Sequence, residues 1–315
     1  NIYRSIDRAR VQFDFLVFGD HEGEYEDEVR SLGGRVLRLP LPDRRRPLTF
    51  VRAATALIRR GRYAVVHSHV NFASAPVLLA ARMGGAVCVV AHAHIAGSAS
   101  KGLRRRAYEF GARMLLTFTA TDFIGCGQEA SQYVFGSRAH RATVIPNGVD
   151  VARFSAAEPI SRELLGINGP GIVLLSVARL DRQKNHAFLL DVMAALSAVD
   201  SHAHLVVVGR GSLRGHLEAK SRGLGIADRV HFLDARRDIP ELMQTADVLV
   251  LPSLYEGLPV VLVESQSAGL PALVSDQVTT EADLGLDLVR FMPLKIDSWA
   301  KAIESLPTTR PRVGN

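Results

Sequence analysis

Residues 171–198 read GIVLLSVARLDRQKNHAFLLDVMAALSA, and this stretch decides the fold. It opens with an apolar run of strand length and closes with apolar residues at helical spacing, joined by a short polar loop. A strand that is apolar throughout is buried on both faces, as in a parallel sheet covered by helices. The stretch therefore predicts one β-α unit of such a sheet.

The same alternation of strand and helix fills most of the chain, which indicates an α/β fold with doubly wound parallel sheets. The predicted strands are FDFLVFG (13–19), RVLRLP (35–40), AVVHSH (64–69), AVCVVAHAH (86–94), DFIGCG (122–127), ATVIPNG (142–148), GIVLLSVAR (171–179), AHLVVVGRG (203–211), RVHFLD (229–234), DVLVLPS (247–253) and PALVSD (271–276). The predicted helices are Leu48–Arg60, Phe72–Met83, Leu103–Thr117, Gln128–Phe135, Asn185–Ala198, Leu213–Gly223, Ile239–Thr245 and Leu258–Ala268.

A turn-rich stretch, residues 147–171, separates the strands into two sets. Its Asn-Gly, its prolines and its glycines are typical of a linker between domains. We therefore predict two Rossmann-like domains, residues 1–150 and 151–315.

Composition narrows the class of protein. The chain has 315 residues, 47% of them hydrophobic, and a net charge of +6, which favours anionic partners without indicating nucleic acid. No window has the roughly 20 apolar residues that cross a bilayer, and no signal peptide is visible, so we expect a cytoplasmic protein. Cys88 and Cys126 lie in apolar runs and are expected to be buried thiols in a reducing compartment, with a disulfide as the minor alternative.

Polar clusters follow five predicted strands, at residues 67–69, 92–94, 178–185, 209–211 and 253–259. Ligands of doubly wound sheets bind at the carboxyl ends of the strands. Core packing alone does not explain polar residues at five such ends, so we expect a ligand site there.

The loop SVARLDRQKNH (176–186) carries two cations, Arg179 and Lys184. The two side chains could bind a diphosphate from two sides, Arg179 through the N–H groups of its planar guanidinium and Lys184 through its ammonium as a point charge. A solvated basic loop is the alternative. The GRG turn is spaced G-x-G-x-x-x-G and does not match the dinucleotide-binding pattern, so Gly209 indicates either a tight turn near a ligand or a purely structural turn.

The stretch YEGLPVVLVESQSAG (255–269) carries two glutamates, Glu256 and Glu264. Pro259 suits the first turn of a helix, which would place Glu256 before the helix and Glu264 near its sixth position. The two carboxylates would then lie beside different parts of one ligand and would not form an acid/base pair. The alternative is that Glu256 caps the helix and Glu264 forms a buried salt bridge.

Four motifs, which follow one another along the chain in the order typical of the family, resemble the GT4 family of retaining glycosyltransferases with the GT-B fold, over nearly the whole chain. They are the two glutamates in E-x7-E spacing, SVARLDRQKNH, VIPNGVDVARF, and the segments AHAHIAGS and ATDFIGCGQEASQYVFG. The resemblance is to members that synthesise capsule and exopolysaccharide. It implies two domains facing across a cleft, a nucleotide-diphosphate sugar as donor, UDP-linked, and a glycan or lipid-linked glycan as acceptor.

The resemblance also implies roles for single residues. Arg179 and Lys184 would hold the donor diphosphate, Glu264 would accept hydrogen bonds from the ribose hydroxyls, and Glu256 would contact the transferred sugar. His92, with His94 as the fallback, would lie near the reacting sugar; the alternative is a structural histidine. The remaining donor-binding residues are expected to be Leu233, Asp234 and Arg236 around the base, and Gly257, Leu258, Pro259 and Val260 near the sugar and phosphate.

No cofactor and no metal ion are expected, because fixed positive groups can stabilise the leaving diphosphate and the chain has no D-x-D motif. Its nearest acidic cluster, EYEDE (24–28), is predicted to be an exposed helix face.

The chain departs from the family pattern at its ends. It begins after the first strand and Gly-rich loop of the family and closes soon after one helix, so we expect a truncated chain with an unpaired sheet position in the first domain. Basic clusters at 44–46, 59–62 and 101–106 are either solvated loops or a weak peripheral contact with anionic lipid on the inner membrane face. Two alternatives to a glycosyltransferase stay open: a non-catalytic nucleotide-sugar-binding remnant, and a UDP-N-acetylglucosamine 2-epimerase.

Overall fold

The computed structural model describes residues 2–19, 22–23, 25–40, 47–97, 102–198 and 202–306. These residues form two compact units, and the chain passes from the first to the second after Pro146. Within the described residues, every helix is too short or too polar to span a bilayer.

The first unit holds six parallel strands in two sheets: β1 (Phe15–Phe18), β2 (Val36–Leu39), β3 (Val65–Ser68), β4 (Cys88–Ala93), β5 (Asp122–Gly125) and β6 (Thr143–Val144). Strands β1 and β2 pair with each other, and the other four pair in the order β3-β4-β5-β6. Strands β1 and β3 are therefore edge strands of separate sheets. Val65 of β3 is 57% exposed, which shows how open this edge is.

The helices of the first unit are α1 (Ile2–Ser5), α2 (Glu26–Ser31), α3 (Pro47–Gly61), α4 (Ser74–Gly84), α5 (Leu103–Thr119) and α6 (Gln128–Phe135). Helix α4 buries an alanine- and leucine-rich face and ends at Gly85, whose φ of 90° is the left-handed conformation that closes many helices.

The second unit holds one six-stranded parallel sheet: β7 (Val173–Val177), β8 (His204–Val208), β9 (Val230–Leu233), β10 (Val248–Leu251), β11 (Ala272–Ser275) and β12 (Val289–Met292). Its strand order is β12-β11-β10-β7-β8-β9. The order reverses between β7 and β10, so the loops after these two strands border the crevice where doubly wound sheets bind ligands.

The helices of the second unit are α7 (Val151–Ser155), α8 (His186–Ala198), α9 (Arg214–Gly223), α10 (Ile239–Thr245), α11 (Val260–Ser267) and α12 (Ile296–Glu304). One side of the sheet is covered by α8 and α12. Trp299 of α12 is fully buried there, its ring centroid 5.4 Å from that of Phe188 and its Nε1 donating to the Pro293 carbonyl at 3.0 Å.

The predicted fold class is confirmed, since both units consist of parallel strands alternating with helices. All eleven predicted strands are present, and β12 is a twelfth that the sequence did not predict. The predicted helix Leu258–Ala268 begins two residues later, at Val260.

Two predictions about polar residues were wrong in part. Neither cysteine forms a disulfide, but only Cys126 is buried; Cys88 is partly exposed, and its Sγ lies 3.4 Å from an oxygen of Asp122. The acidic stretch 24–28 is not an exposed face throughout, because Glu26 is buried and its carboxylate pairs with Arg30 and Arg38. These two arginines come from α2 and β2, so the pairing follows from the fold and not from the local sequence.

Candidate active site

The β7–α8 loop carries the predicted cationic residues on the switch-point side of the sheet. Asp181 organises this loop: one carboxylate oxygen accepts from the Lys184 backbone N–H at 3.2 Å, and the other lies 3.2 Å from the Arg179 guanidinium. The Arg179 side chain is 74% exposed. Arg179 is therefore available to a ligand from solvent, and Asp181 is the one carboxylate among the described residues that pairs with its guanidinium.

Lys184 forms an ion pair with Glu256, and this pair spans the switch point. Lys184 follows β7 and Glu256 follows β10, the two neighbouring strands at which the strand order reverses. The side chains are 15% and 9% exposed, so the pair is largely withdrawn from water. A pair so placed fixes one positive and one negative group at the edge of the sheet where a ligand binds.

Neighbouring polar groups hold the Glu256 carboxylate in place. Ser253 Oγ donates to Glu256 Oε1 at 2.8 Å, and Gln183 Nε2 donates to Glu256 Oε2 at 3.3 Å and to the Tyr255 carbonyl at 2.9 Å. The Leu254 N–H donates in turn to the Gln183 carbonyl at 2.9 Å. The two loops are thereby joined through both side chains and backbone.

The structure thus brings Lys184 and Glu256 into contact, whereas the sequence suggested that Arg179 and Lys184 act as a pair. It also removes one alternative: Glu256 makes no capping hydrogen bond to α11. Pro259 is the residue that precedes α11, one position earlier than the first-turn position predicted for it.

The loop before α11 is fixed from the linker region. Asn147 Nδ2 donates to the Leu258 carbonyl at 3.0 Å, and Asp150 caps α7 by accepting from the Arg153 N–H at 3.2 Å. The hydrogen bond from Asn147 holds the Leu258 carbonyl in place. Leu258 follows Gly257 and lies two residues before Val260, where α11 begins. The first N–H groups of a helix have no acceptor within the helix, which makes this end suited to anionic ligands.

Glu264 lies at the fifth residue of α11, one position earlier than predicted, and is partly buried. Its carboxylate forms no ion pair within the described residues, so the alternative of a buried salt bridge is wrong. Burial raises the pKa of Glu264 above its usual range, and the positive charge of Arg153 offsets part of that shift. A desolvated carboxylate without a partner is costly to the protein but well suited to accept hydrogen bonds from a ligand.

The substitution Glu264→Gln is expected to stabilise the ligand-free protein at pH 7. The raised pKa means that the folded state binds more protons than the unfolded state between the usual and the raised value, so stability falls as pH rises through that window. Urea unfolding of both proteins should show a difference at pH 7 that vanishes below about pH 4. The exposed Glu304→Gln of α12 is the control; a Glu264→Gln protein less stable than wild type at pH 7 would contradict the expectation.

The GRG turn after β8 has a structural role. Gly209 has a φ of 143°, and a Cβ there would lie 2.1 Å from the Ala178 carbonyl oxygen; a Cβ on Gly211 would lie 2.3 Å from that of Leu180. The Leu180 N–H donates to the Arg210 carbonyl at 2.9 Å. The glycines therefore let this turn pack against the β7–α8 loop and support it.

The residues predicted around the base lie after β9 and are engaged with one another or with neighbours. Asp234 is 68% exposed and lies 3.5 Å from Arg214. Arg236 donates from Nε to Asp238 at 2.7 Å, and this contact raises the pKa of Arg236 and lowers that of Asp238. Leu233 ends β9 and is partly exposed. The structure places the three in one segment, and their role in base binding stays a prediction.

In the first unit, His92 and His94 belong to a cluster of four histidines. His67 lies in β3 and His69 directly after it, and His92 lies in the neighbouring β4 and His94 directly after it. His67 Nε2 lies 3.1 Å from His92 Nδ1, and His69 Nδ1 lies 2.9 Å from His94 Nε2. The ring centroids of His67 and His69 are 4.1 Å apart and those of His92 and His94 are 4.0 Å apart.

The cluster keeps its imidazoles neutral at physiological pH. Removal of water by the packed rings, together with repulsion between them, lowers the pKa of His92 to about 3 and that of His69 and His94 to about 4. A neutral imidazole has one N–H donor and one nitrogen with a free lone pair, so His92 can serve a ligand as a hydrogen-bonding group or bind a cation through that lone pair.

Sequence reasoning missed three residues that shape the site: Asn147, Gln183 and Ser253. Asn147 lies in the linker motif, and the other two lie inside polar clusters already singled out. Their position beside a strand end was the available signal. Asn147 bonds to a residue 111 positions away and Gln183 to one 73 positions away, so a local stretch of sequence does not show these contacts. Ser253 bonds to Glu256, three positions away, whose own place is fixed by those contacts between loops.

Comparison with known proteins identifies glycosyltransferase families over both halves of the chain. A family described as glycosyl transferases group 1 matches residues 158–310, and one described as glycosyl transferase 4-like domain matches residues 1–148. The putative glycosyltransferase EpsF of Bacillus subtilis is 38% identical over 96% of this chain and 82% of the relative.

Two further matches concern sugar-nucleotide proteins. The UDP-Gal:alpha-D-GlcNAc-diphosphoundecaprenol alpha-1,3-galactosyltransferase of Escherichia coli is 30% identical over 70% of this chain and 59% of the relative. The crystal structure of Anabaena HepE in complex with UDP and glucose superposes with a TM-score of 0.76 at 20% identity, covering 92% of this chain and 81% of that one. The latter likeness is one of fold.

Proposed function

The chain belongs to the group 1 glycosyltransferases, of the GT4 type, and from this premise we propose that it transfers a sugar from a UDP-linked donor to a lipid-linked or polysaccharide acceptor with retention of anomeric configuration. The observation that carries the proposal is the Lys184–Glu256 ion pair across the switch point of the second sheet. The UDP-Gal and the diphosphoundecaprenol in the name of the Escherichia coli relative support this donor base and acceptor class.

The reaction breaks the bond between the anomeric carbon and the diphosphate oxygen through an oxocarbenium-like transition state. Negative charge grows on the leaving diphosphate, and fixed positive groups lower the energy of that state. We assign this role to Lys184 and Arg179, with the first N–H groups of α11 as further donors. No metal ion is required by this assignment.

In the ligand-free protein Glu256 neutralises Lys184. A bound diphosphate brings negative charge to the same ammonium, so Lys184 is shared between Glu256 and the donor. Glu256 then remains beside the sugar, and Glu264, further along α11, accepts hydrogen bonds from the ribose hydroxyls. His92, with His94 as the fallback, is assigned to the acceptor side near the reacting sugar.

A donor panel tests the proposal. The chain is incubated with UDP-glucose, UDP-galactose, UDP-N-acetylglucosamine and GDP-mannose, and its melting temperature is measured. A ligand at 100 times its Kd stabilises the folded state by about 2.7 kcal/mol, so the correct donor gives a clear shift. Stabilisation by GDP-mannose alone would contradict the UDP assignment, and NMR of the product anomer decides retention against inversion.

Helix α5 supports a peripheral contact with anionic membranes, which we include in the proposal. It exposes an apolar stripe formed by Leu103, Phe110, Met114 and Phe118, with Phe110 65% and Phe118 74% exposed. The exposed Arg104 and Arg106 lie beside this stripe. Such a helix lies in the lipid interface with its apolar residues inserted and its cations on the head groups. Of the predicted basic clusters, residues 44–46 and 101 lie outside the described residues.

The double substitution Phe110→Ser, Phe118→Ser is expected to weaken sedimentation with anionic liposomes by tenfold or more, since burying each phenylalanine contributes about 1.5–3 kcal/mol when complete. Replacing Leu164, a residue of the second unit that is 77% exposed, by serine is the matched control and should leave sedimentation unchanged. Equal binding of the double variant and wild type, or equal binding to neutral and anionic liposomes, would contradict the proposal.

A further inference from the structure

The four-histidine cluster of the first unit includes His92, which we assigned to the acceptor side, and it has a second feature that this assignment does not use. Among the residues that the structure describes, His67, His69 and His92 are the one group of three or more potential metal ligands, and one ligand atom of each lies within 4.8 Å of the others. Residues two apart on a strand point to the same face, so β3 and β4 each present two imidazoles to one place.

The spacing of the ring nitrogens suits a small cation. An ion bound tetrahedrally at about 2.0–2.1 Å holds two imidazole nitrogens about 3.3 Å apart. Nε2 of His67 and Nδ1 of His92 lie 3.1 Å apart, and the three ligand atoms of His67, His69 and His92 all lie within 4.8 Å of one another. Small rotations of the side chains would therefore bring three nitrogens around one ion.

One nitrogen of the cluster has no partner. His92 is 9% exposed, and its Nε2 is buried without a hydrogen bond among the described residues. A buried polar atom without a partner is costly, and an ion bound through Nε2 in place of Nδ1, after rotation of the His92 ring, would remove that cost. His67 and His69 are exposed, so an ion has access from solvent.

We propose that His67, His69 and His92 bind one divalent transition-metal ion such as Zn²⁺ or Co²⁺. Imidazole-only sites favour these ions over Mg²⁺ and Ca²⁺, which take oxygen ligands. His94 is a positioning residue: its Nε2 lies beside Nδ1 of His69, and its backbone N–H donates to Asn71 Oδ1 at 2.7 Å. The ion ties the edge strand β3 to β4.

The test uses the full chain without a histidine tag, freed of metal by a chelator. We expect one Co²⁺ per chain, with visible d–d absorption that Zn²⁺ abolishes and Mg²⁺ does not. Zn²⁺ should also raise the melting temperature, because it binds the folded state. His94→Ala should weaken Co²⁺ binding by about 10–100-fold, the usual effect of removing an outer-shell partner, and His69→Gln or His92→Ala by more.

The His204–His231 contact of the second unit provides the matched control. His204 Nδ1 lies 3.1 Å from His231 Nε2, a similar histidine contact but with only two ligands. His231→Ala should leave the Co²⁺ spectrum unchanged. The proposal is overturned if wild type binds no Co²⁺, or if His67→Asn and His69→Gln, both at exposed positions that need not disturb folding, bind it as wild type does.

Discussion

Lys184→Ala is expected to lower kcat/KM for sugar transfer by about 10²–10³-fold, the usual effect of removing one fixed group that stabilises transition-state charge. The ammonium lies at the switch point and is 15% exposed, so water replaces it poorly. Transfer of radiolabelled sugar from the donor identified by the panel measures the effect. Both kcat and kcat/KM should fall, because the charge on the leaving diphosphate grows in the transition state.

Lys220 supplies the matched control for Lys184. Its Nζ lies 2.7 Å from Asp191, in a lysine–carboxylate pair between α9 and α8 whose two residues lie outside both site loops. Lys220→Ala should leave the kinetics within about twofold, the range of a surface ion pair of small energy. Equal losses in the two variants would show that the effect of Lys184→Ala is one of folding and would remove Lys184 from the reaction.

Glu256→Ala is expected to destabilise the ligand-free protein by about 3–5 kcal/mol, because it leaves the Lys184 ammonium buried without its partner. It also removes the acceptor of the hydrogen bonds from Ser253 and Gln183. Urea unfolding at pH 7 measures the loss as a change in the free energy of unfolding.

The double variant Lys184→Met, Glu256→Leu separates stability from activity. Replacing a whole buried ion pair by apolar side chains is often neutral or stabilising, so most of the lost stability should return. Transfer activity should not return, because both charges are gone. A double variant that regains activity would refute the assigned roles, and a Glu256→Ala protein as stable as wild type would show that Lys184 finds water or another partner.

In the proposed reaction, the Lys184–Glu256 pair would let one site be stable without donor and reactive with it. Without donor, each charge compensates the other. With donor, the diphosphate would supply negative charge to the ammonium, and the Glu256 carboxylate would keep the hydrogen bonds from Ser253 and Gln183. The same groups thus serve the fold and the proposed chemistry in turn.

The local sequence predicted the parts of this protein that depend on short-range pattern. Eleven strands follow from continuous apolar runs, and helices such as Gln128–Phe135 and Ile239–Thr245 have the predicted bounds. Strand β12 was not predicted, because Val289–Met292 includes the charged Arg290, which is exposed between two partly buried residues. A short edge strand of this kind gives no continuous apolar run.

What only the tertiary structure decided is which polar groups meet. The sequence placed Lys184 and Glu256 in separate loops, and the adjacency of β7 and β10 joined them. It noted the polar clusters at residues 67–69 and 92–94 separately, and the pairing of β3 with β4 brought their histidines together. Strand order and register depend on how helices and strands pack together across the whole unit, so a short stretch of sequence does not predict them. Apolar periodicity, by contrast, is local, and the sequence by itself determined the α/β fold through it.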